Sequence, residues 1–159
     1  MKKKGILGMA LMGLASVGVV VFSFKSSQGA IRTRDEKVNK FKSYYNILNE
    51  WLTFKQNGKS LENYFLENGY KTVAIYGMGE LGNRLYDELK NTNIEVKYAV
   101  DKNAESAYSE LEVLKLEDEL PETDVMIVTA TFAFDDIVKD IGDRVTCPIV
   151  SLEDVVYGA

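Results

Sequence analysis

Six residues near the middle of the chain, Gly77-Met78-Gly79-Glu80-Leu81-Gly82, have the types and the spacing to hold a phosphate. They follow a short apolar run, Thr72 to Tyr76, and precede a helical pattern; a second apolar run then ends in Asp101, 19 residues after Gly82. Strand, G-x-G-x-x-G, helix, strand and acid, in that order, is the arrangement that binds dinucleotides. Each glycine has a task. Gly77 permits the tight turn, Gly79 lets the backbone approach a pyrophosphate, and Gly82 lets helix and strand pack closely. The start of the helix offers unpaired N–H groups and the positive end of its dipole to the phosphates. Asp101 stands where a carboxylate accepts from both hydroxyls of an adenine ribose, which favours NAD over NADP, although Lys102 beside it offsets that charge. Glu80 competes with phosphate for the same donors. Arg84, one turn on, either offsets Glu80 or pairs with it. The competing expectation is a domain that keeps these glycines for the turn and the packing alone.

Neighbouring motifs are excluded by single residues. A P-loop needs Lys-Ser/Thr after its last glycine, and Asn83-Arg84 follows Gly82. The Tyr-x-x-x-Lys pair of sugar epimerases occurs as Tyr86…Lys90 and Tyr98…Lys102. The first lies on the glycine-loop helix and the second on a strand, where neither is beside a bound nicotinamide. The chain has no histidine, so imidazole chemistry and His-ligated metals are excluded, and Cys147 is the only cysteine, which rules out an internal disulfide. It reads as a buried structural thiol. The net charge of −5 argues against nucleic acid as a partner. Glu117-Asp118-Glu119 reads as a solvated face.

The elements that must position the loop follow from periodicity. Residues 35–56 show two helical stripes: Phe41, Tyr45, Leu48 and Leu52, and beside them Tyr44, Ile47, Trp51 and Phe54. Such a wide apolar face either covers the sheet or pairs with a second copy or a partner protein. A short helix capped by Ser60 follows, holding Leu61, Tyr64, Phe65 and Leu66. Beyond Asp101, a third strand is expected at 111–116 and a buried fourth at 125–130. A helix is expected at 134–141, a last strand at 148–151, and a terminal turn at 152–157. Strands alternating with helices predict an α/β, Rossmann-like parallel sheet of about five strands in the order 3-2-1-4-5, with helices on both faces. That order sets Thr129, Thr131 and Phe132 across the crevice from the glycine loop.

Ahead of all this, Lys2-Lys3-Lys4 precedes twenty uncharged residues, 5–24. A helix of that length spans about 30 Å, the thickness of a bilayer core. A signal peptide would have a shorter apolar region and a small-residue cleavage site, so the segment 1–25 is read as a retained transmembrane anchor. Residues 26–34 form a linker, 35–69 a helical appendage and 70–159 the nucleotide-binding domain. The basic residues after the span outnumber those before it, which predicts a cytoplasmic domain; the compact lysine start argues the other way, and the nucleotide loop decides for the cytoplasm.

At AIYGMGELGNRLYDEL, IEVKYAVDKN, LEVLKLEDELPETDVMIVTA and CPIVSLEDVV the sequence resembles small Rossmann domains of bacterial surface-polysaccharide biosynthesis. These include the nucleotide-binding regions of sugar epimerases and dehydratases and the amino-terminal domain of sugar acyltransferases. The resemblance covers about residues 70–155. It implies nucleotide contacts at Gly77, Gly79, Gly82 and Asp101. It carries no catalysis over, because the epimerase Tyr/Lys pair and the acyltransferase's left-handed helix have no counterpart. The expectation is a membrane-anchored module that binds NAD or a nucleotide-sugar through the loop, Asp101, Lys102, Thr129 and Thr131, and serves a polysaccharide-assembly complex. The alternatives are a small NAD-dependent enzyme completed by dimerisation or a partner, and a nucleotide-free scaffold contacting others through helix 35–56.

Overall fold

The computed structural model describes residues 34–35, 37–106 and 110–159. The first boundary between compact units falls after Phe41, and Lys42–Ala159 forms one unit that holds the whole sheet. The apolar run 5–24, read above as a membrane span, lies outside the described residues. Among those described, no helix is long and apolar enough to cross a membrane.

Helix α1 takes residues 37–56. It is followed by α2 (Glu62–Glu67), β1 (Thr72–Tyr76), α3 (Glu80–Leu89), β2 (Glu95–Val100), β3 (Val113–Leu114), β4 (Val125–Val128), α4 (Phe134–Ile141), β5 (Ile149–Ser151) and α5 (Leu152–Gly158). The strands form one five-stranded sheet in the order β3-β2-β1-β4-β5, and every neighbouring pair is parallel. The fold is therefore α/β with the expected order. β1 and β4 sit at its centre, which is why their sequences run TVAIY and VMIV without alternation: both faces are buried.

The two faces are covered unequally. Val73, Ile75, Ala99, Val125 and Ile127 share a core with Ile47, Trp51 and Phe54 of α1, Phe65 of α2, Leu81, Leu85 and Leu89 of α3, and Leu152, Val155 and Val156 of α5. Ala74, Tyr76, Tyr98, Val100, Met126 and Val128 face the other way, onto Ile137 and Ile141 of α4. Leu116 and Leu120, from the connection between β3 and β4, pack on that second core. Along β2 the phase is corrected by an irregularity at Lys97: Val73 pairs with Val96, but Ala74 pairs with Tyr98. Without the extra residue, Tyr98 and Val100 would turn to the wrong face.

Helix α1 resolves its two stripes. Ile47, Trp51 and Phe54 are buried, whereas Tyr45, Leu48 and Leu52 are exposed. The inner stripe covers the sheet, and the outer one is left at the surface. Lys55 ties the helix to α3 through Glu88 Oε1 at 2.8 Å, and the same carboxylate oxygen lies 3.4 Å from both Leu61 N and Ser60 Oγ.

The far edge of the central strands is fastened by one side chain. Asp124 Oδ2 accepts from the N–H groups of Lys71 and Thr72, each at 2.8 Å, while Asp124 N donates to Thr72 Oγ1 at 2.9 Å. These bonds stabilise the charged carboxylate and hold its pKa below the ordinary range.

Three elements differ from the sequence expectations. β3 is only two residues long, and β4 stops at Val128 because Thr129 turns towards the glycine loop. The segment 152–157, read as a turn, is helix α5. Ser151 Oγ caps it by accepting from Glu153 N at 3.2 Å, and Glu153 and Asp154 lie in its first turn.

Truncating the inner stripe should therefore cost far more than truncating the outer one. Ile47→Ala should lose about 2–5 kcal/mol and Leu52→Ala less than about 0.5 kcal/mol in urea unfolding. Asp124 stabilises the fold above the ordinary aspartate value of about 3.9 and loses that contribution as pH falls through its lower folded value. Asp124→Asn should accordingly unfold at lower urea than wild type at neutral pH, with the difference shrinking as pH drops below about 4; a constant difference across that range would refute the assignment.

Candidate functional site: the glycine loop

The loop between β1 and α3 is set by two contacts that leave no room for side chains. Gly77 has φ +96°, in the region that favours glycine, and a Cβ there would lie 2.8 Å from Thr129 Oγ1. A Cβ on Gly82 would lie 2.1 Å from the carbonyl oxygen of Gly77. Gly82, in the first turn of α3, is thus pressed against the loop that precedes its own helix. Both glycines are demanded by the fold.

Gly79 is different. Its φ of −73° suits any residue, and a Cβ built on it meets nothing within 4 Å. It is the N-cap of α3 and supplies no capping side chain. The first N–H groups of a helix have no intrahelical acceptor, so this end of α3 is bare backbone facing open space.

The surrounding side chains hold the loop in place. Gly77 N donates to Val100 O at 2.8 Å, and Thr129 Oγ1 donates to Gly77 O at 2.7 Å. Asn83 Nδ2 donates to the carbonyls of Met78 and Gly79 at 2.9 and 3.0 Å. Asp101 Oδ2 accepts from Met78 N at 2.7 Å, and its Oδ1 accepts from Asn103 N at 2.8 Å. One carboxylate therefore links the end of β2 to the glycine loop. Each of its oxygens has used one bond, and an ionised carboxylate has about four acceptor positions in all, so capacity remains for hydroxyl donors.

The structure thus brings Gly77, Met78, Gly79, Glu80, Leu81, Gly82, Asp101 and Thr129 together. Met78 and Leu81 are buried and serve the core beneath the loop. Glu80 is exposed and pairs with Arg84 at 3.2 Å along the helix surface. Thr129 is buried and spends its hydroxyl on the loop's carbonyls; it braces the loop from behind. Lys102 is exposed in the turn after Asp101. Thr131 and Phe132, expected across the crevice, instead meet α1: Thr131 Oγ1 lies 3.2 Å from Ser43 Oγ, and the Phe132 ring is 6.2 Å from that of Tyr44. Asn83, Ser43 and Tyr44 were not expected near the site from the sequence, Tyr44 having been read only as part of the apolar stripe of α1. An amide one turn after a bare glycine cap was a usable signal for Asn83; nothing local marked the other two.

The Tyr-x-x-x-Lys spacings have structural occupations. Tyr98 is buried and donates to Pro121 O at 2.9 Å, and Lys90 lies over the Tyr86 ring and pairs with Asp87 at 2.9 Å. Tyr76, the last residue of β1, is buried, and its phenol pKa is raised by that burial and by the nearby carboxylates of Asp140, Asp101 and Glu117. Cys147 is half-buried, with its Sγ 3.7 Å from Thr123 Oγ1.

A separate hollow of about 450 Å³ opens beyond β4 and β5, between Thr131–Asp136, Lys139, Ser151, Glu153 and Asp154. Four carboxylates line it against one lysine, so it suits a phosphate poorly. Among the described residues no group of three or more acidic or cysteine side chains could hold a metal ion.

Compared with protein-family models, with curated proteins and with solved structures, the chain has no match in any of the three.

Substitution should separate the three glycines. Gly82→Ala and Gly77→Ala should each destabilise by about 2 kcal/mol or more, through backbone overlap and a strained φ respectively. Gly79→Ala should change stability by less than about 1 kcal/mol, the cost of a poorer cap. Urea midpoints of the three variants check this, and a Gly79→Ala loss as large as that of Gly82→Ala would show a packing role at Gly79.

Proposed function

We propose that the chain is a Rossmann-like module that binds NAD or a nucleotide-sugar at the glycine loop. It is held at a membrane by the apolar run 5–24 and is accessory to surface-polysaccharide assembly. The observation that carries the binding reading is Gly79. A domain that kept its glycines for turn and packing alone would need those at 77 and 82. The third, whose missing side chain faces open space, is needed for neither, and its only structural gain is a slightly better helix cap. A phosphate approaching the bare start of α3 gives that vacancy a purpose. The two remaining acceptor positions of Asp101, one loop away, fit ribose hydroxyls. The membrane and polysaccharide parts of the reading rest on the uncharged run and on the sequence resemblance.

The module acts as a binder, because the groups that would do acid–base work are spent elsewhere: Tyr98 on Pro121 and Lys90 on Asp87. A second reading, a nucleotide-free scaffold, is favoured by the exposed stripe on α1. A small dehydrogenase or epimerase would need its acid–base pair from another chain.

Thermal unfolding with NAD, NADH, NADPH and UDP-sugars tests the proposal. A ligand at a hundred times its dissociation constant should add about 2.7 kcal/mol, a shift of several degrees. Gly79→Val should abolish the shift while leaving the ligand-free melting temperature within a few degrees of wild type. If no nucleotide shifts the transition, the scaffold reading takes its place.

A further inference from the structure

The glycine that makes room for a ligand also loosens the backbone beside it. Residue 79 carries no Cβ, so the usual bar to a turned-over Met78–Gly79 peptide, a side chain at 79, is missing. Turning that peptide over would carry Gly79 from its φ of −73° to a positive value, which glycine adopts without steric cost. For an anion at the helix start, the change would reverse the sign of the contact. C=O and N–H lie on opposite sides of a trans peptide. The orientation that directs Met78 O towards α3 therefore directs the Gly79 N–H away from it, out of the helix start. The opposite orientation would present a carbonyl oxygen there. The N–H groups of Gly77 and Met78 are taken by Val100 O and Asp101 Oδ2, whereas those of Gly79 and Glu80 have no acceptor among the described residues.

We propose that Asn83 is the positioning residue of the phosphate site, and that it locks the Met78–Gly79 peptide with its N–H outward. Its Nδ2 lies 2.9 Å from Met78 O and 3.0 Å from Gly79 O. Both neighbours are acceptors, so the amide nitrogen, not the amide oxygen, must face them. Gly79 O does not need this bond, because Asn83 N already reaches it at 3.1 Å. What the side chain adds is the hold on Met78 O. Asp101 takes the N–H of Met78 and Asn83 takes its carbonyl, so the residue before Gly79 is pinned at both ends. A carboxylate at position 83 would do the reverse, repelling the two carbonyls and drawing the Gly79 N–H inward. This role rests on the phosphate reading of the loop, and it names the side chain that makes the loop a donor to that phosphate.

The test follows backbone amide signals by nuclear magnetic resonance in the full, isotope-labelled chain in detergent. The probe is inorganic pyrophosphate, the group that NAD and nucleotide-sugars share. In wild type the Gly79 amide should give a single sharp signal that moves as the probe is added. Asn83→Ala should broaden or split that signal before any probe is present. It should also weaken pyrophosphate binding about tenfold, the loss expected when roughly nine-tenths of the loop is turned over. Asn83→Asp should weaken binding further and, without probe, move the Gly79 amide proton downfield as it turns to the carboxylate. Both variants should melt within a few degrees of wild type. Binding by both variants within about twofold of wild type would overturn the inference and leave the phosphate site standing. So would a sharp, single Gly79 signal in Asn83→Ala with weakened binding that only follows a fall in melting temperature, the mark of a structural role. If the wild-type Gly79 amide responds to neither pyrophosphate, NAD nor a UDP-sugar, the phosphate site and the inference fall together.

Discussion

The contact on which most of the structure depends is the one with no side chain in it. Gly82 lies so close to the carbonyl of Gly77 that even a methyl group would overlap it. That closeness starts α3 immediately beneath the end of β1, and from there Leu81, Leu85 and Leu89 reach the sheet. It also fixes the loop between the two glycines, so that Met78 N meets Asp101 and the Asn83 amide meets the carbonyls of Met78 and Gly79. Thr129 closes the arrangement from β4. Two neighbouring strands and a helix are thus joined through a single stretch of backbone, by bonds that each involve a group of fixed geometry. A loop held this way changes little when something binds to it, which lowers the ordering cost of binding.

The parts of this that could be read in the sequence are those set by spacing along the chain. β1 and α4 have the bounds expected for them, because an apolar run and an amphipathic turn are local signals. The roles of Gly77 and Gly82 were legible for the same reason. The error at α5 was also local: Ser151 with Glu153 and Asp154 is a helix start, overlooked in a seven-residue segment at the chain's end. What could not be read is what depends on distant elements. Asp101 was expected to face a ribose; that it also holds the Met78 amide requires β2 to lie beside β1 in a particular register. Thr131 and Phe132 were placed opposite the glycine loop, but α1 claims them, and no spacing within residues 129–134 announces where a helix some ninety residues earlier will lie.

Helix α1 also shows why a wide apolar face is ambiguous in sequence. Its two stripes are both regular and both rich in large side chains, so periodicity gives each an equal claim on the sheet. Packing decides between them. Trp51, Phe54 and Ile47 fill the space left by α2, α3 and α5, and the stripe beside them has no room to follow. The surplus apolar surface is then a property of the folded unit and needs its own explanation.

The short link between Ser43 and Thr131 joins the helix with the surplus surface to the segment leaving β4. Thr129, two residues earlier in that segment, braces the glycine loop. If occupation of the outer stripe alters how α1 seats on Thr131 and Phe132, the free energy of that adjustment enters the affinity of the glycine loop. By thermodynamic reciprocity, a ligand at the loop then changes the affinity of the outer stripe by the same factor. The Ser43–Thr131 hydroxyl pair and the neighbouring Tyr44–Phe132 ring contact are the places where such an adjustment would pass from one to the other.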